Sequence, residues 1–447
     1  MHPVAPNAPP SLLYDSSAGP PAPENIADLG LSVEAIIDLI IKTLHAQGAR
    51  TGQHLADAVR LPFHLVDEQL LMLQHRRFVE VRSTKGLGRG GYVFDLVGEG
   101  RERGQAALNS NQYVGPAPVP LEQYRDWSAT QSLQQARVTY DEVKNGFQAM
   151  VLDPRVFEIL GPAINSARSL FLYGAPGNGK TFIAETISHL LGGEIYIPHA
   201  IEVDGQILVL YDPVYHHEVP LPPVGGVGGV AGLIRDDNVY DRRYIRVRRP
   251  VVITGGELTL DQLDLQYDFH TKMYQAPFQL KANGGVLIID DFGRQRVPSR
   301  DLLNRWIVPL EKRIDFLTLH TGGKFPVPFD TLLIFSTNLA PKDLVEEAFM
   351  RRIHYKIHVL GPDPEKYCEI FRRCAIERGM EFDEWAISHI YDEFYTKLGI
   401  EPRACHPRDV LDHLLDFARF QQVRPQLSVE LLDSACRSYF LDDTARE

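Results

Sequence analysis

The chain has 447 residues, 44% hydrophobic and 23% charged, with a formal net charge of -12. That length and mix allow two or three domains with a sizeable core, while the acidic balance argues against bulk electrostatic attachment to nucleic acid or anionic lipid. The cysteines Cys368, Cys374, Cys405 and Cys436 form no C-x-x-C pair, no run approaches the ~18 apolar residues of a membrane span, and the start lacks a signal-peptide pattern, so the expectation is a cytoplasmic protein without disulfides or membrane insertion.

Residues 1–24 are rich in Pro, Ala and Ser and read as a disordered tail. From Val33 the apolar residues Ile36, Ile37, Ile40, Ile41 and Leu44 recur at helical spacing up to Gly48. "TGQHLADAV" and "PFHLVDEQLLMLQHRRFV" predict two more helices, and "FVEVRSTKGLGRGGYVFDLV" predicts two strands around a basic, Gly-rich loop. Residues 25–104 therefore resemble a winged helix-turn-helix. Arg82, Lys85 and Arg89 on the wing suit DNA phosphates, but residues 31–104 hold ten Lys/Arg against nine Asp/Glu, and Asp67 and Glu68 sit where base contacts would be made. Protein docking and DNA binding both stay open for this domain, with near-neutral charge favouring protein.

Residues 105–137 read as a Pro-rich linker turning helical at its end, which implies domain movement. From 138 to 360, strand candidates alternate with helical stretches as in a parallel α/β sheet, and 361–447 read as a helical bundle.

The strand Leu170 to Tyr173 runs into Gly174, Ala175, Pro176, Gly177, Asn178, Gly179, Lys180 and Thr181, then an apolar-periodic helix. This is G-x-x-x-x-G-K-[ST] in its strand-loop-helix context, the Walker A phosphate loop. Glycines aim backbone N–H groups inward, Lys180 suits the terminal phosphates, and the Thr181 hydroxyl suits magnesium. ATP and Mg²⁺ are the implied ligands.

"VLIIDDFGR", residues 286–294, carries two readings. Asp-Phe-Gly is the magnesium tripeptide of protein kinases, but no H-R-D occurs in the chain and "GGVGGVAG" has the wrong glycine spacing. Four apolar residues before two aspartates instead end a Walker B strand, with Asp290 on magnesium and Asp291 beside the attacking water; Phe292 and Gly293 then follow by coincidence.

Downstream, "TLLIFSTN" ends in Asn338, "EEAFMRRIHYKIHV" places Arg351 and Arg352 before a strand, and "HPRDVLDHLLDFARF" opens a helix with Arg408. With these, residues 138 to 420 resemble the AAA+ ATPase family. The resemblance implies a P-loop core with a parallel sheet and C-terminal helical lid, preceded by the winged-helix-like domain. It assigns Asn338 as sensor 1, Arg351 or Arg352 as the arginine finger, with Arg352 preferred, and Arg408 as sensor 2. It also implies an ATPase working as a homo-oligomeric, commonly hexameric ring. The expected work is remodelling of a macromolecular partner, with a protein client favoured; the alternative is a nucleotide-gated DNA-binding regulator.

Ile314 to Leu319, Gly322-Gly323 and Phe325 to Phe329 predict a hairpin before the sensor strand. It resembles the pre-sensor-1 hairpin of the branch that includes MoxR-like ATPases. Between 199 and 285 the sequence predicts a hairpin at Asp204-Gly205, a loop "PLPPVGGVGGVAG", and an arginine-rich stretch, "DRRYIRVRRP", for which a pore lining, a nucleic-acid contact and an exposed strand edge are all open. His216 and His217 read as surface histidines.

Overall fold

The computed structural model describes residues 19–220, 240–340 and 350–440. Helix α1 (Val33–Gln47) starts where the Ser32 hydroxyl accepts from Ala35 N–H and stops at Gly48. The short strand β1 (Arg50–Thr51) leads into α2 (Gly52–Val59), which the Thr51 side chain caps, and α3 (Phe63–His75) follows Pro62. Strands β2 (Val79–Thr84) and β3 (Tyr92–Leu96) complete a three-stranded antiparallel sheet in the order β1-β3-β2. The apolar face of α1 buries Ile36, Ile40, Ile41 and Leu44 against Leu55, Val66, Leu70 and Phe94.

Helix α4 (Gly98–Ser110) runs past the boundary expected at 104, because Gly104 lets it lie close against His45 and Ile41 of α1. The expected linker is also built structure. Strand β4 (Val119–Pro120) and α5 (Leu121–Thr130) bury Val119, Tyr124 and Trp127, so the prolines there border a strand instead of marking a flexible tether. Domain movement across this segment is opposed by Arg243, which is 2% exposed. Its guanidinium donates to Leu29 O at 2.9 Å, Gln123 Oε1 at 3.0 Å and Asp241 Oδ2 at 2.7 Å, tying three parts of the chain together. The last residues of the expected disordered tail are ordered as well: Pro20 O accepts from Asp241 N–H and Glu24 O from His64 Nε2. Residues 1–18 lie outside the described residues.

After α6 (Tyr140–Gly146) and α7 (Pro154–Ser166) the parallel sheet begins with β5 (Leu170–Tyr173) and α8 (Lys180–Leu191). Strands β6 (Glu194–Pro198), β7 (Ala200–Val203), β8 (Gln206–Val209) and β9 (Tyr244–Arg248) precede β10 (Val251–Thr254). Next come β11 (Gln266–Asp268), β12 (Met273–Gln275), the short α9 (Phe278–Lys281), β13 (Val286–Ile289) and α10 (Ser299–Lys312). The hairpin β14 (Ile314–Thr318) and β15 (Lys324–Pro328) forms as the sequence predicts, ahead of β16 (Leu332–Thr337) and β17 (Tyr355–His358).

The parallel sheet has the order β10-β13-β16-β5-β17. One face buries Leu172, Ile288 and Ile334 with Ile183 and Ile187 of α8; the other buries Phe171, Leu287 and Phe335 with Leu302 and Trp306 of α10. Burial on both faces is why these strands read as unbroken apolar runs. Because β16 separates β5 from β13, the loops leaving all three open at one carboxyl edge, the usual place for a ligand in such sheets.

A second sheet, β11-β12-β8-β7-β4, was not foreseen: residues 138–360 were expected to make one core. Its hairpin turns at Asp204 and Gly205, both with positive φ, as predicted for that dipeptide. It packs on the N-terminal domain through Ala200 and Val209 and shares a core with Leu317 and Phe325 of the β14–β15 hairpin. The arginine stretch serves this scaffold. Arg242 pairs with Asp57, Arg246 with Glu194, and Arg249 donates to Gly284 O at 2.6 Å, whereas Arg248 is exposed. His216 is buried, 1% exposed, with Nδ1 accepting from Asp212 N–H and Nε2 donating to Lys281 O; the surface expectation fails there. Residues 221–232 of the predicted loop lie outside the described residues.

The C-terminal domain is helical: α11 (Pro364–Glu377), α12 (Trp385–Ile390) continuing into a π turn, α13 (His406–Gln421) and α14 (Val429–Phe440) around Tyr367, Phe371, Leu411 and Leu432. Among the described residues no helix is long and apolar enough to cross a membrane.

Candidate nucleotide site

The loop from Gly174 to Thr181 joins β5 to α8 with positive φ at Gly174, Gly177 and Gly179. A Cβ on Gly174 would stand 2.3 Å from Val359 O, so only glycine fits where β5 meets the chain leaving β17. The Lys180 side chain folds back over this loop. Its Nζ donates to Gly174 O and Ala175 O at 3.0 Å each and to Asn338 Oδ1 at 2.5 Å. Burial lowers its pKa, opposed by the nearby Asp290 and Asp291 carboxylates.

The Thr181 hydroxyl donates to Asp290 Oδ2 at 2.8 Å, and Asn338 Nδ2 approaches Asp291 Oδ1 at 3.4 Å. Asp290, Ser336 and Asn338 fall on the same sheet face as Ile288 and Ile334, the face covered by α8. Thus a hydroxyl, two carboxylates, an amide and an ammonium converge at the ends of adjacent strands. A hydroxyl and a carboxylate already within hydrogen-bond distance are a hard-oxygen donor set suited to Mg²⁺, which keeps most of its waters and takes one or two such ligands.

Asp291 has φ +48. The turn holding it there is clamped: Phe292 N–H donates to Ser336 O at 2.7 Å, and Thr337 Oγ1 to Phe292 O at 2.6 Å. Gln295 accepts from Gly293 N–H at 2.8 Å and its Nε2 donates to Asp290 O at 3.1 Å. The Phe292 ring is fully buried against Phe171 and Phe335. Phe292 therefore anchors the turn, and Gly293 supplies its positive φ.

A cleft of about 1230 Å³ surrounds this group. Apolar Val151, Val156 and Ile159 before and within α7, Leu360 after β17 and Ile370 of α11 form one wall. The helical domain closes over the loop: Cys405 N–H donates to Gly177 O at 2.9 Å, Ala404 N–H to Asn178 Oδ1 at 3.3 Å, and Arg373 to Gln148 O at 2.7 Å. Arg408 lies on the cleft wall, held by Asp409 at 2.9 Å, which raises its pKa.

The structure thus brings Pro176 to Thr181, Asp290, Asp291, Asn338 and Arg408 into one cleft, with Gly174 and Ala175 bound to Lys180 beneath it, and leaves Arg351 and Arg352 out of it. These two line a separate cavity of about 580 Å³ with Arg168, Glu311, Arg313 and His354. Arg352 Nε pairs with Glu311 at 2.6 Å, and its carbonyl accepts from Ser169 Oγ. Both precede β17, whose Tyr355 pairs with Leu170 at the start of β5, so they sit at the opposite edge of the sheet, about 13 Å away along a four-residue strand. Residues 341–349 of the helix predicted before them lie outside the described residues. Sequence reasoning missed Asn178 and Cys405 as lid contacts, which have no local signal, and Arg294 on the cleft wall, whose signal was its position three residues after Asp291.

The fold and site together define a class: an α/β P-loop protein with a helical C-terminal domain, on the strength of its strand order and phosphate loop. Residues 363–438, most of that helical domain, match a family described as a domain of unknown function (DUF8689). No curated protein matches the chain. Among solved structures, a point mutant of Thermotoga maritima RuvB is 14% identical, over 70% of this chain and 74% of that one, with a TM-score of 0.36. The T. maritima RuvB Holliday junction branch migration motor is 15% identical over 70% and 73%, TM-score 0.34, and Brucella abortus NtrX 14% over 66% and 56%, TM-score 0.38. Likeness at this level carries no weight for what the chain does.

Proposed function

We propose that this protein is an AAA+ type ATPase that hydrolyses ATP with Mg²⁺ and uses the cycle to remodel a macromolecular partner. The observation that carries the reading is the convergence of Lys180, Thr181, Asp290, Asp291 and Asn338 at the ends of β5, β13 and β16. In this reading the loop N–H groups and Lys180 would cradle the phosphates, and Thr181 and Asp290 would hold the metal ion, which would supply charge neutralisation for phosphoryl transfer. Asp291 accepts a proton from the attacking water, and Asn338 orients that carboxylate. Arg408 reports the nucleotide to the helical domain.

Arg351 and Arg352, at the far edge of the sheet, can serve only a neighbouring subunit's nucleotide, which supports a homo-oligomeric ring, hexameric by resemblance. Such an arginine is worth roughly 10³ to 10⁵ in rate in other P-loop enzymes. The β14–β15 hairpin directly before β16 supports placement in the pre-sensor-1 hairpin branch, MoxR-like or related. The order α1-β1-α2-α3-β2-β3 supports a winged-helix-like N-terminal domain. Its wing arginines are already paired, Arg82 with Asp95 at 2.6 Å and Arg89 with Asp67 at 2.9 Å, which favours a protein client over DNA. The decisive experiment is steady-state ATPase turnover of the full chain, Lys180→Ala and Asp291→Asn. Both variants are expected near background, and wild-type-like turnover in both overturns the reading.

A further inference from the structure

We infer that Arg294 is a catalytic residue that contacts the terminal phosphate of the nucleotide held by its own subunit. The inference rests on the ATPase reading above and adds a residue that the sequence motifs do not assign. Arg294 lies on the wall of the nucleotide cleft, three residues beyond Asp291. Its backbone is held: its N–H donates to Asp291 O at 3.0 Å, Gly293 takes φ +100, and Gln295 clamps the same turn through Asp290 O and Gly293 N–H. A side chain leaving so constrained a turn starts from a fixed point, as a group that meets a reacting phosphate must.

Its charge is also uncommitted. The other cations near the reacting end of the cleft have partners within the chain. Lys180 donates to two loop carbonyls and Asn338, Lys356 to Ile353 O, Lys366 to Asp363, and Arg408 to Asp409. Among the described residues the Arg294 guanidinium has no hydrogen-bond or ion-pair partner, and its side chain is exposed. At the foot of the cleft two carboxylates, Asp290 and Asp291, act on one ammonium, Lys180. A planar guanidinium with five donors is the side chain best matched to phosphate oxygens. Arg155, at the start of α7, lines the same cleft.

The test is equilibrium binding of Mg-ATPγS and of Mg-ADP, by calorimetry, to the full-length chain and to Arg294→Ala and Arg294→Lys, with turnover measured alongside. Arg294→Ala is expected to weaken ATPγS binding about tenfold while leaving ADP binding unchanged, the scale of one hydrogen bond to a charged group. Arg294→Lys restores part of the affinity because charge returns without the fork. An unchanged ratio of ATPγS to ADP affinity in Arg294→Ala, or an equal loss for both ligands, overturns the inference while leaving the ATPase reading standing. A wild-type chain that binds neither nucleotide overturns both. Unchanged thermal melting of the variants shows that the effect is local.

Discussion

The backbone N–H of Cys405 donates to the carbonyl of Gly177 at 2.9 Å, so the helical C-terminal domain touches the phosphate loop directly. The Cys405 sulfur stands 2.5 Å from where a Cβ on Gly177 would lie, and Gly177 has φ +82. Gly177→Ala therefore meets two obstacles: a left-handed backbone, costing roughly 1–2 kcal/mol for a non-glycine residue, and a sulfur in its path. Where the loop relaxes to relieve that strain, nucleotide affinity is expected to fall by about five- to thirtyfold. Adding Cys405→Ala should recover the steric part but not the backbone part. Binding isotherms for the single and double variants check this, and a double variant no better than Gly177→Ala would remove the sulfur from the account.

Asp291 sits at φ +48, where Asp and Asn are tolerated better than longer side chains. The turn therefore favours a short acid at this position. Asp291→Asn should keep the melting temperature of the wild type while abolishing turnover. Asp291→Glu should lower stability by about 0.5–1 kcal/mol, within the cost of a left-handed residue. Melting curves read alongside turnover separate the two effects, and a more stable Asp291→Glu would contradict the conformational argument.

Removing the buried Arg243 leaves Asp241, itself 3% exposed, without its bidentate partner. Arg243→Met is expected to destabilise the chain by about 3–5 kcal/mol, the usual result of breaking a buried pair from one side. Arg243→Lys should recover little, since one ammonium cannot reach Leu29 O, Gln123 and Asp241 together. Chemical denaturation measures both, and a loss below about 1 kcal/mol would place the pair among ordinary surface bridges.

Burial lowers the pKa of His199, His216 and His406 to about 4 each. A histidine held neutral in the folded state binds fewer protons than in the unfolded state, so its contribution is fully present above the unfolded pKa near 6.5. It is lost as pH falls from there toward about 4. The melting temperature should therefore drop steadily between pH 7 and 4, and His216→Gln should flatten the slope as well as lower the plateau. A pH-independent melting temperature across that window would refute the linkage.

For the N-terminal domain, the paired states of Arg82 and Arg89 predict weak binding to duplex DNA with a shallow salt dependence. A steep salt slope that disappears in Arg82→Ala and Arg89→Ala would instead favour the DNA-binding regulator.

Wherever one short segment carries its own physics, the sequence was legible. Gly174 to Thr181 specifies a phosphate loop because glycine freedom, a lysine and a hydroxyl must occur in that order between strand and helix. The apolar runs ending in Asp290 and Asn338 could be placed as buried strands of one sheet. The β14–β15 and β7–β8 hairpins were legible through Gly322-Gly323 and Asp204-Gly205, whose turns need positive φ.

What the sequence could not show depends on groups far apart in the chain. The second sheet takes strands from three separated stretches, one of them a two-residue strand inside what reads as a linker, and two-residue strands leave no periodicity to detect. The arginines of 242–249 look like a charged surface until Asp57, Glu194 and Gln131 arrive from elsewhere to pair them. By itself the sequence determined the glycine-rich loop, the two aspartates that follow β13 and the parallel strands, because each depends on neighbours a few residues away. Only the tertiary structure decided that Arg351 and Arg352 face away from their own cleft, that Cys405 closes on Gly177, and that Arg294 stands uncommitted beside Asp291. Those relationships depend on which strand edge and which distant side chain meet in space, and sequence spacing does not encode that meeting.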